Sequence, residues 1–431
     1  MTQPHLNLTL ATWSCSNLFC GTQFPRILSR FSIWRQMSTP FRFLNADNTT
    51  VDFEDYYVRA DYFRSGNLWT WGMNSYAGYA YGVLGDNTNI SKSSPVQTIT
   101  RGTNWKQVVC HHYHTIATKT DGTLWTWGRN SYGQLGDNTI TNKSSPVQTI
   151  AFGTNWKQIS GGYSQTSAIK TDGTLWSWGF NLFGVLGDNT RTSRSSPVQT
   201  IARGTNWMQV SADLATAAIK TDGTLWMWGR NTDGELGDNT IAHKSSPVQT
   251  VALGTNWKQV ASENYSTAAI KRDGTLWCWG SNAYGQLGDN TITSRSSPVQ
   301  TVAGGTNWKQ VACAGNYKAA IKTDGTLWCW GVNSSGQLGN NTTIKRSSPV
   351  QTIAYGTNWK QVDCFYLHTV AIKTDGTLWT WGLNTAGQLG DNTGVFARSS
   401  PVQTIMYGTN WKQVACGYDF TAAIQYQDDY Q

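Results

Sequence analysis

The chain has 431 residues and a formal net charge of +8, yet only 13% of its residues are charged, about half the usual share. It has no run of 18 apolar residues, which excludes a membrane-spanning helix, and its eight cysteines show no Cys-x-x-Cys spacing, which excludes the ordinary zinc and thiol-redox motifs. Trp, with 23 copies, is the outlier of composition.

Residues 1–50 show no periodicity. Met37 offers a second plausible start, so residues 1–36 read as a flexible arm or an upstream extension, and no basic region followed by an apolar core marks a secretory signal. Cys15 and Cys20 could pair there. From Val51 the text becomes strand-like, and Val51–Phe63 is expected to pair with C-terminal strands.

An octet then recurs. SGNLWTWG at Ser65–Gly72 is followed by DGTLWTWG at Asp121–Gly128 and by five further copies, the last at Asp375–Gly382. From the second Trp of each copy to the next, the spacings are 56, 51, 50, 51, 51 and 51 residues, which marks a repeat array. Asp-Gly predicts a two-residue type I′ hairpin turn. The alternation that follows puts Leu and Thr on one strand face and both Trp on the other.

A full unit reads from Thr120 to Lys170. LWTWG, PVQTI, NWKQIS and TSAIK are four strands, so each repeat predicts one small antiparallel sheet. Such a sheet cannot bury both faces alone, and radial stacking solves this. The expectation is an all-β fold, a seven-bladed β-propeller over residues 51–425, its ring closed by an N-terminal strand, with a tail at 426–431. Small residues (TAAI, VACG) should pack near the axis, with Trp in the wider outer gaps. Of the 23 Trp, 21 occupy three repeat positions and read as core. Cys110, Cys313, Cys364 and Cys416 share one repeat position, and Cys278 and Cys329 another. Gly161 or Ser262 stands at the first position in other copies, and Thr126, Ser177, Met227 or Thr380 at the second, and the interchange with Gly, Ser and Thr suggests small packing residues.

The pattern DGTLWxWGxNxxGQLG, then a Pro-Val strand, then VACGxxxTAAI resembles the regulator of chromosome condensation repeat family. It is seen at Asp375–Gly390, Pro401–Gln403 and Val414–Ile424, and covers about residues 64–425. The resemblance implies a seven-bladed propeller. It leaves activity open, because members include nucleotide exchange factors, chromatin binders and protein inhibitors of β-lactamases. The family often places His before the last strand of the unit, whereas only His114 and His368 stand there in this chain. The exchange factors use a protruding hairpin as a wedge, and the one insertion, five residues within Asn74–Gly85, is Tyr- and Gly-rich.

The seven copies vary mainly in two connections, one after WG and one before the fourth strand. With strands running up and down alternately, both emerge on one face. That rim carries Tyr76, Tyr79, Tyr81, Tyr113, His114, Tyr132, Tyr163, Gln165, Phe183, Tyr265, Tyr284, Tyr317, Phe365, Tyr366, His368, Tyr418 and Phe420. Tyr-rich loops on a rigid frame suit partner binding, and neutral drift alone does not favour aromatics. The opposite face varies at Arg101, Phe152, Arg203, Leu253, Gly304, Tyr355 and Tyr407, a permissive turn position or a second contact surface.

His111, His112 and His114 form a metal-like cluster. Its nearest similar residue, His368, lies two blades away, so no metal or other cofactor is assigned. Gly-Asp-Asn recurs as a turn, and no catalytic constellation emerges. The positive charges repeat in every copy and form rings, whereas nucleic-acid binding needs a concentrated basic footprint. The sequence therefore reads as a non-enzymatic binding module for another protein or a surface glycan. A structural or adhesive part of a viral particle or secreted assembly, with self-assembly through residues 1–50, is the alternative. Low charge and Thr/Asn/Ser richness lean towards that extracellular or virion-associated setting. Nucleotide exchange or chromatin binding would follow from family analogy, and an enzyme with a central-funnel site is the remaining class.

Overall fold

The computed structural model describes residues 43–44, 50–51 and 66–426, apart from residues 101, 103, 151–152, 203, 252–253, 304, 354–355 and 407. Cys15, Cys20 and the variable turn position from Arg101 to Tyr407 lie outside the described residues. Two units divide the chain, Met1–Arg64 and Ser65–Gln431. In the first, Phe43–Leu44 pairs antiparallel with Thr50–Val51. The second is a seven-bladed β-propeller of four-stranded antiparallel sheets. No helix among the described residues is long and apolar enough to cross a membrane.

Blade 3 shows the plan. From the axis outwards its strands are Trp156–Gly161, Gln165–Lys170, Leu175–Gly179 and Arg194–Gln199. Blade 2 begins at Trp105, blade 4 at Trp207, blade 5 at Trp257, blade 6 at Trp308 and blade 7 at Trp359. Blade 1 combines Trp411–Cys416 and Phe420–Tyr426 with Gly66–Gly72 and Lys92–Gln97. The sequence unit is thus not the blade. Of the unit Thr120–Lys170, the first two strands belong to blade 2 and the last two to blade 3. LWTWG takes as its inner partner the strand joined to it by the Asp-Gly hairpin, the nearest partner in the chain. The crossing to the next blade falls between the PVQ and NWK strands.

The hairpin itself differs from a two-residue type I′ turn. Gly122 N–H donates to Lys119 O at 2.9 Å, and Gly122 has φ of +79° while Asp121 is not among the residues of positive φ. This is a type I turn with a glycine bulge. The Asp side chain turns back instead, with Thr123 N–H donating to Asp121 Oδ1 at 2.9 Å.

The ring is closed by the first octet copy. Gly66–Gly72 pairs with Phe420–Tyr426 over seven consecutive residues. Of the expected closing stretch Val51–Phe63 only Val51 is described, and it pairs with Phe43.

Trp explains how blades adhere. The innermost-strand Trp and the second Trp of each octet are buried in every copy, and Trp105 meets Trp127 at 6.1 Å. Each second Trp also reaches the preceding blade. Trp178 Nε1–H donates to Gln134 O at 3.0 Å, and Trp71 Nε1–H to Gln388 O at 2.9 Å across the closure. The same carbonyls accept a hydroxyl from the next blade, such as Thr166 Oγ1 to Gln134 O at 2.8 Å. Gly136 lies flat on this indole, since a Cβ there would stand 2.6 Å from Trp178 Nε1. The first Trp of each octet is only half-buried, a departure from the all-core expectation. Trp125 donates to Thr123 Oγ1 at 2.8 Å and lies under the Lys119 ammonium at 4.3 Å. The repeated lysine that ends the second strand, in AIK or, in blade 2, ATK, therefore caps indoles in the six blades that carry it.

Near the axis, Gln413 grips the next innermost strand at both backbone groups, accepting from Val108 N–H at 3.1 Å and donating to Val108 O at 3.0 Å. Gln158, Gln209, Gln259 and Gln310 do the same to Val210, Val260, Val311 and Val362. The six described cysteines are buried packing residues. On the outer strands, the repeated cation pairs with the Asp of Gly-Asp-Asn in five blades, for example Arg194 with Asp188 at 3.3 Å. The positive charge is thus partly neutralised where it recurs.

Candidate functional site

The two variable connections of each blade emerge together. In blade 2 they are tied by Arg129 N–H donating to Tyr113 O at 2.7 Å, and in blade 3 by Phe180 N–H donating to Ser164 O at 2.8 Å. The longer loop is braced from within by one asparagine. Asn130 Oδ1 accepts from Leu135 N–H at 2.9 Å, while its Nδ2 donates to Asp137 Oδ1 at 3.0 Å. These loops are rigid supports.

Of the seventeen rim residues expected from sequence, Tyr76, Tyr79, Tyr132, Tyr163, Phe183, Tyr265, Tyr284, Tyr366 and Tyr418 are exposed or half-exposed. Tyr81, Tyr113, His114, Gln165, Tyr317, Phe365, His368 and Phe420 are buried. The five of these that begin the second strand, His114, Gln165, Tyr317, His368 and Phe420, are covered by the neighbouring blade and latch or pack against it. Gln165 Nε2 donates to Asp213 O at 2.8 Å, and Tyr317 OH donates to His368 O at 2.6 Å. His368 Nε2 lies 3.1 Å from Thr421 Oγ1, whose own proton goes to Gln388 O at 2.9 Å. The imidazole must therefore carry its proton on Nε2.

Burial lowers the His368 pKa to about 3. An unfolded His protonates near 6.5. Between those values the unfolded chain binds a proton that the folded chain refuses, so stability falls as pH falls. Relative to His368→Gln, wild type should lose about 2 kcal/mol between pH 7.5 and pH 5. Urea unfolding of both proteins across that range checks this, and a pH-independent difference contradicts it.

The exposed aromatics are not evenly spread. Tyr366 of blade 7 stacks on Tyr418 of blade 1 at 4.0 Å, and Tyr418 meets Tyr76 at 6.0 Å. Tyr76 packs on Tyr113 at 5.3 Å, and Tyr113 on Tyr81 at 5.0 Å. His112 carries the run to Tyr163 of blade 3 at 4.7 Å. The five-residue insertion forms a small hairpin, Ser75–Tyr76 against Tyr79–Ala80, which lifts Tyr79 to 66% exposure. A continuous aromatic sector therefore spans blades 7, 1, 2 and 3. Tyr265 and Tyr284 stand apart on blade 5, Tyr265 under the Arg230 guanidinium at 4.6 Å.

Where the loop face meets the axis, a second group gathers. The residue after the innermost strand's last small position is His111 in blade 2, Asp213 in blade 4, Glu263 in blade 5 and Phe365 in blade 7. His111 Nε2 lies 3.2 Å from Glu263 Oε2, and His111 Nδ1 lies 3.8 Å from Asp213 Oδ1. His112 joins them, packed on Phe365 at 4.9 Å. Burial and the Glu263 carboxylate push Asp213 up to about 7, and burial drives Glu263 well above the usual carboxylate range. Burial likewise lowers His111 and His112. Asp213 and Glu263 escaped the sequence reading, which set His111, His112 and His114 against His368. The available signal was the shared second position of the CHHYH, ADLA and SENYS loops.

A seven-bladed ring with variable loops gathered on one face defines a β-propeller scaffold that presents a loop-built binding surface. The RCC1-like domain profile matches residues 208–430, and the RCC1 repeat profile matches residues 65–118, 121–169 and 172–212. The chain belongs to the regulator of chromosome condensation (RCC1) repeat family. It is 31% identical to the ultraviolet-B receptor UVR8 of Arabidopsis thaliana over 76% of this chain, spanning 64% of the receptor's length. It is 30% identical to the probable E3 ubiquitin-protein ligase HERC3 of Homo sapiens over 37% of this chain, spanning 16% of that protein. Among solved structures, human WBSCR16 is similar with a TM-score of 0.73 at 21% identity, covering 84% of this chain and 99% of that one. Yeast RCC1 (Prp20), solved with Kap60, is similar with a TM-score of 0.75 at 18% identity, covering 92% of this chain and 96% of that one.

Proposed function

We propose that the chain is a non-enzymatic binding module that docks another protein on the aromatic sector of its loop face. The observation that carries this reading is the run of accessible rings Tyr366, Tyr418 and Tyr76, with exposed Tyr79 opposite Tyr76 on the hairpin, held on braced loops. Tyr offers large contact area with only two side-chain torsions to freeze, and pre-positioned aromatics contribute most of the energy at protein interfaces. Yeast RCC1 (Prp20), similar in fold, is solved bound to Kap60 and has binding properties to Gsp1p and histones, which supports protein partners for this fold.

The test is affinity for a partner cross-linked and identified from the native source. The combined Tyr76→Ser, Tyr366→Ser and Tyr418→Ser variant should bind at least about 100-fold more weakly, because each buried interface aromatic contributes roughly 2 kcal/mol or more. Tyr284→Ser, on blade 5, should bind as wild type. Unchanged affinity in the triple variant would sink the proposal. Binding that disappears on enzymatic removal of the partner's sugars would transfer the reading to a surface glycan.

A further inference from the structure

The axial group is placed by the fold with unusual economy. His111 and His112 come from blade 2, Asp213 from blade 4 and Glu263 from blade 5, and all four are at most 7% exposed. One donor atom from each lies within 4.8 Å of one from every other. Their polar atoms are not satisfied among themselves. His111 Nδ1, His112 Nε2 and Asp213 Oδ1 are buried without a hydrogen-bond partner.

Protons alone do not repair this. A neutral imidazole has one N–H. If His111 donates it from Nε2 to Glu263, its Nδ1 lone pair faces the lone pairs of Asp213 Oδ1 at 3.8 Å. Neither a doubly protonated His111 nor a protonated Asp213 brings the 3.8 Å gap between them to hydrogen-bond distance, and both leave His112 Nε2 unpartnered. A cation accepts lone pairs from all of these atoms at once. The geometry points to a binding site for one first-row divalent transition cation of the zinc class, held by His111, His112, Asp213 and Glu263 across the mouth of the propeller axis.

The dimensions fit. Ligands at about 2.1 Å from one ion stand about 3.4 Å apart in a tetrahedron and at most about 4.2 Å apart. The 3.8 Å separation of His111 Nδ1 and Asp213 Oδ1 lies near the tetrahedral spacing, and a pair at the 4.8 Å limit needs to close by about 1.4 Å, within reach of side-chain rotation. Two imidazoles with two carboxylates select zinc, nickel, cobalt or iron(II) over magnesium and calcium, which favour all-oxygen shells. Phe365 edges onto both imidazoles, at 4.7 Å from His111 and 4.9 Å from His112, and keeps that side dry. The ion would tie blade 2 to blades 4 and 5, a cross-brace the ring's neighbour-to-neighbour contacts do not supply. The site shares His112 with the aromatic sector, but it does not rest on what that sector binds.

The test uses the untagged full chain, stripped with a chelator, dialysed, and titrated with zinc chloride by calorimetry, with metal content checked by mass spectrometry. The expected result is one zinc per chain and a rise of several degrees in melting temperature at saturation. Cobalt(II) should bind the same site with the visible absorption of a low-coordinate His/carboxylate centre. Magnesium and calcium at millimolar concentration should not compete. Asp213→Asn should weaken zinc at least tenfold and His112→Gln at least a hundredfold, while His243→Gln, on blade 4 away from the axis, should leave it unchanged. Zinc-free melting curves of the variants show whether each still folds. If His112→Gln does not fold, Asp213→Asn and Glu263→Gln carry the comparison. Less than one zinc per wild-type chain, or affinity unchanged in Asp213→Asn and Glu263→Gln together, overturns the site.

Discussion

Trp178→Ala is expected to lower the stability of the propeller by about 4 kcal/mol, near the upper part of the range for emptying a buried aromatic site. Trp178 is fully buried where blades 2 and 3 meet, among Ile116, Leu124, Trp156, Ile159 and Ala168. Two strands of each blade line that space, and the backbone ladders on both sides prevent them from collapsing into it. The hydrogen bond matters less. Gln134 O keeps its second donor, Thr166 Oγ1, when the indole is removed. Trp178→Phe, which keeps most of the ring but loses the N–H, should therefore cost only about 1–2 kcal/mol. Trp176, half-buried beneath Lys170 at 4.7 Å, supplies the control. Its replacement by Ala should cost well under half as much as Trp178→Ala. Urea unfolding of the three variants measures the order, and equal losses for Trp176→Ala and Trp178→Ala would contradict the division into inner and outer indoles.

Lys318→Met should be nearly as damaging, at about 3 kcal/mol. Six blades place Thr at this position, each donating to the loop carbonyl of the preceding blade. Blade 6 carries Lys318 instead, fully buried, and Gln286 O retains only the Trp330 N–H at 3.0 Å. The Lys318 ammonium reaches across to blade 5 and donates to Ser266 Oγ at 2.6 Å. Its charge also holds down the pKa of Glu263, against the larger effect of burial. Methionine keeps the stem volume and removes the cation, leaving Glu263 without that compensation. In the background of Glu263→Gln the same substitution should cost about 1–2 kcal/mol less, a coupling read directly by a double-mutant cycle. A Lys318→Met protein as stable as wild type would show that the ammonium is dispensable.

Lys318 also shows the limits of reading the chain in one dimension. A Lys in a column of Thr is visible once the copies are aligned, but its burial is not, because Lys322, which ends AAIK in the same blade, stays half-buried with its ammonium over the outer indole. The rim residues divide the same way. Parity places both variable connections on one face, and it leaves open which residue of a five-residue connection points out. His114, Gln165, Tyr317, His368 and Phe420 begin the second strand, and the next blade covers that end. Tyr163, Tyr366 and Tyr418, two positions earlier, escape it. The turn type departs from the expected one for a local reason: the Asp121 carboxylate accepts from the backbone N–H and hydroxyl of Thr123, and Gly122 alone takes positive φ.

The repeat period, the pairing of strands within a hairpin, the closed ring and the shared loop face were all determined by the sequence, because each depends on contacts between near neighbours or on a pattern repeated seven times. The meeting of His111, His112, Asp213 and Glu263 was decided only by the tertiary structure. These residues lie in loops about 50 to 150 residues apart, and nothing in their local context favours one another. They meet because rotation about a common axis carries the same loop position of every blade to a single point, where the protein excludes water and leaves their polar atoms facing each other.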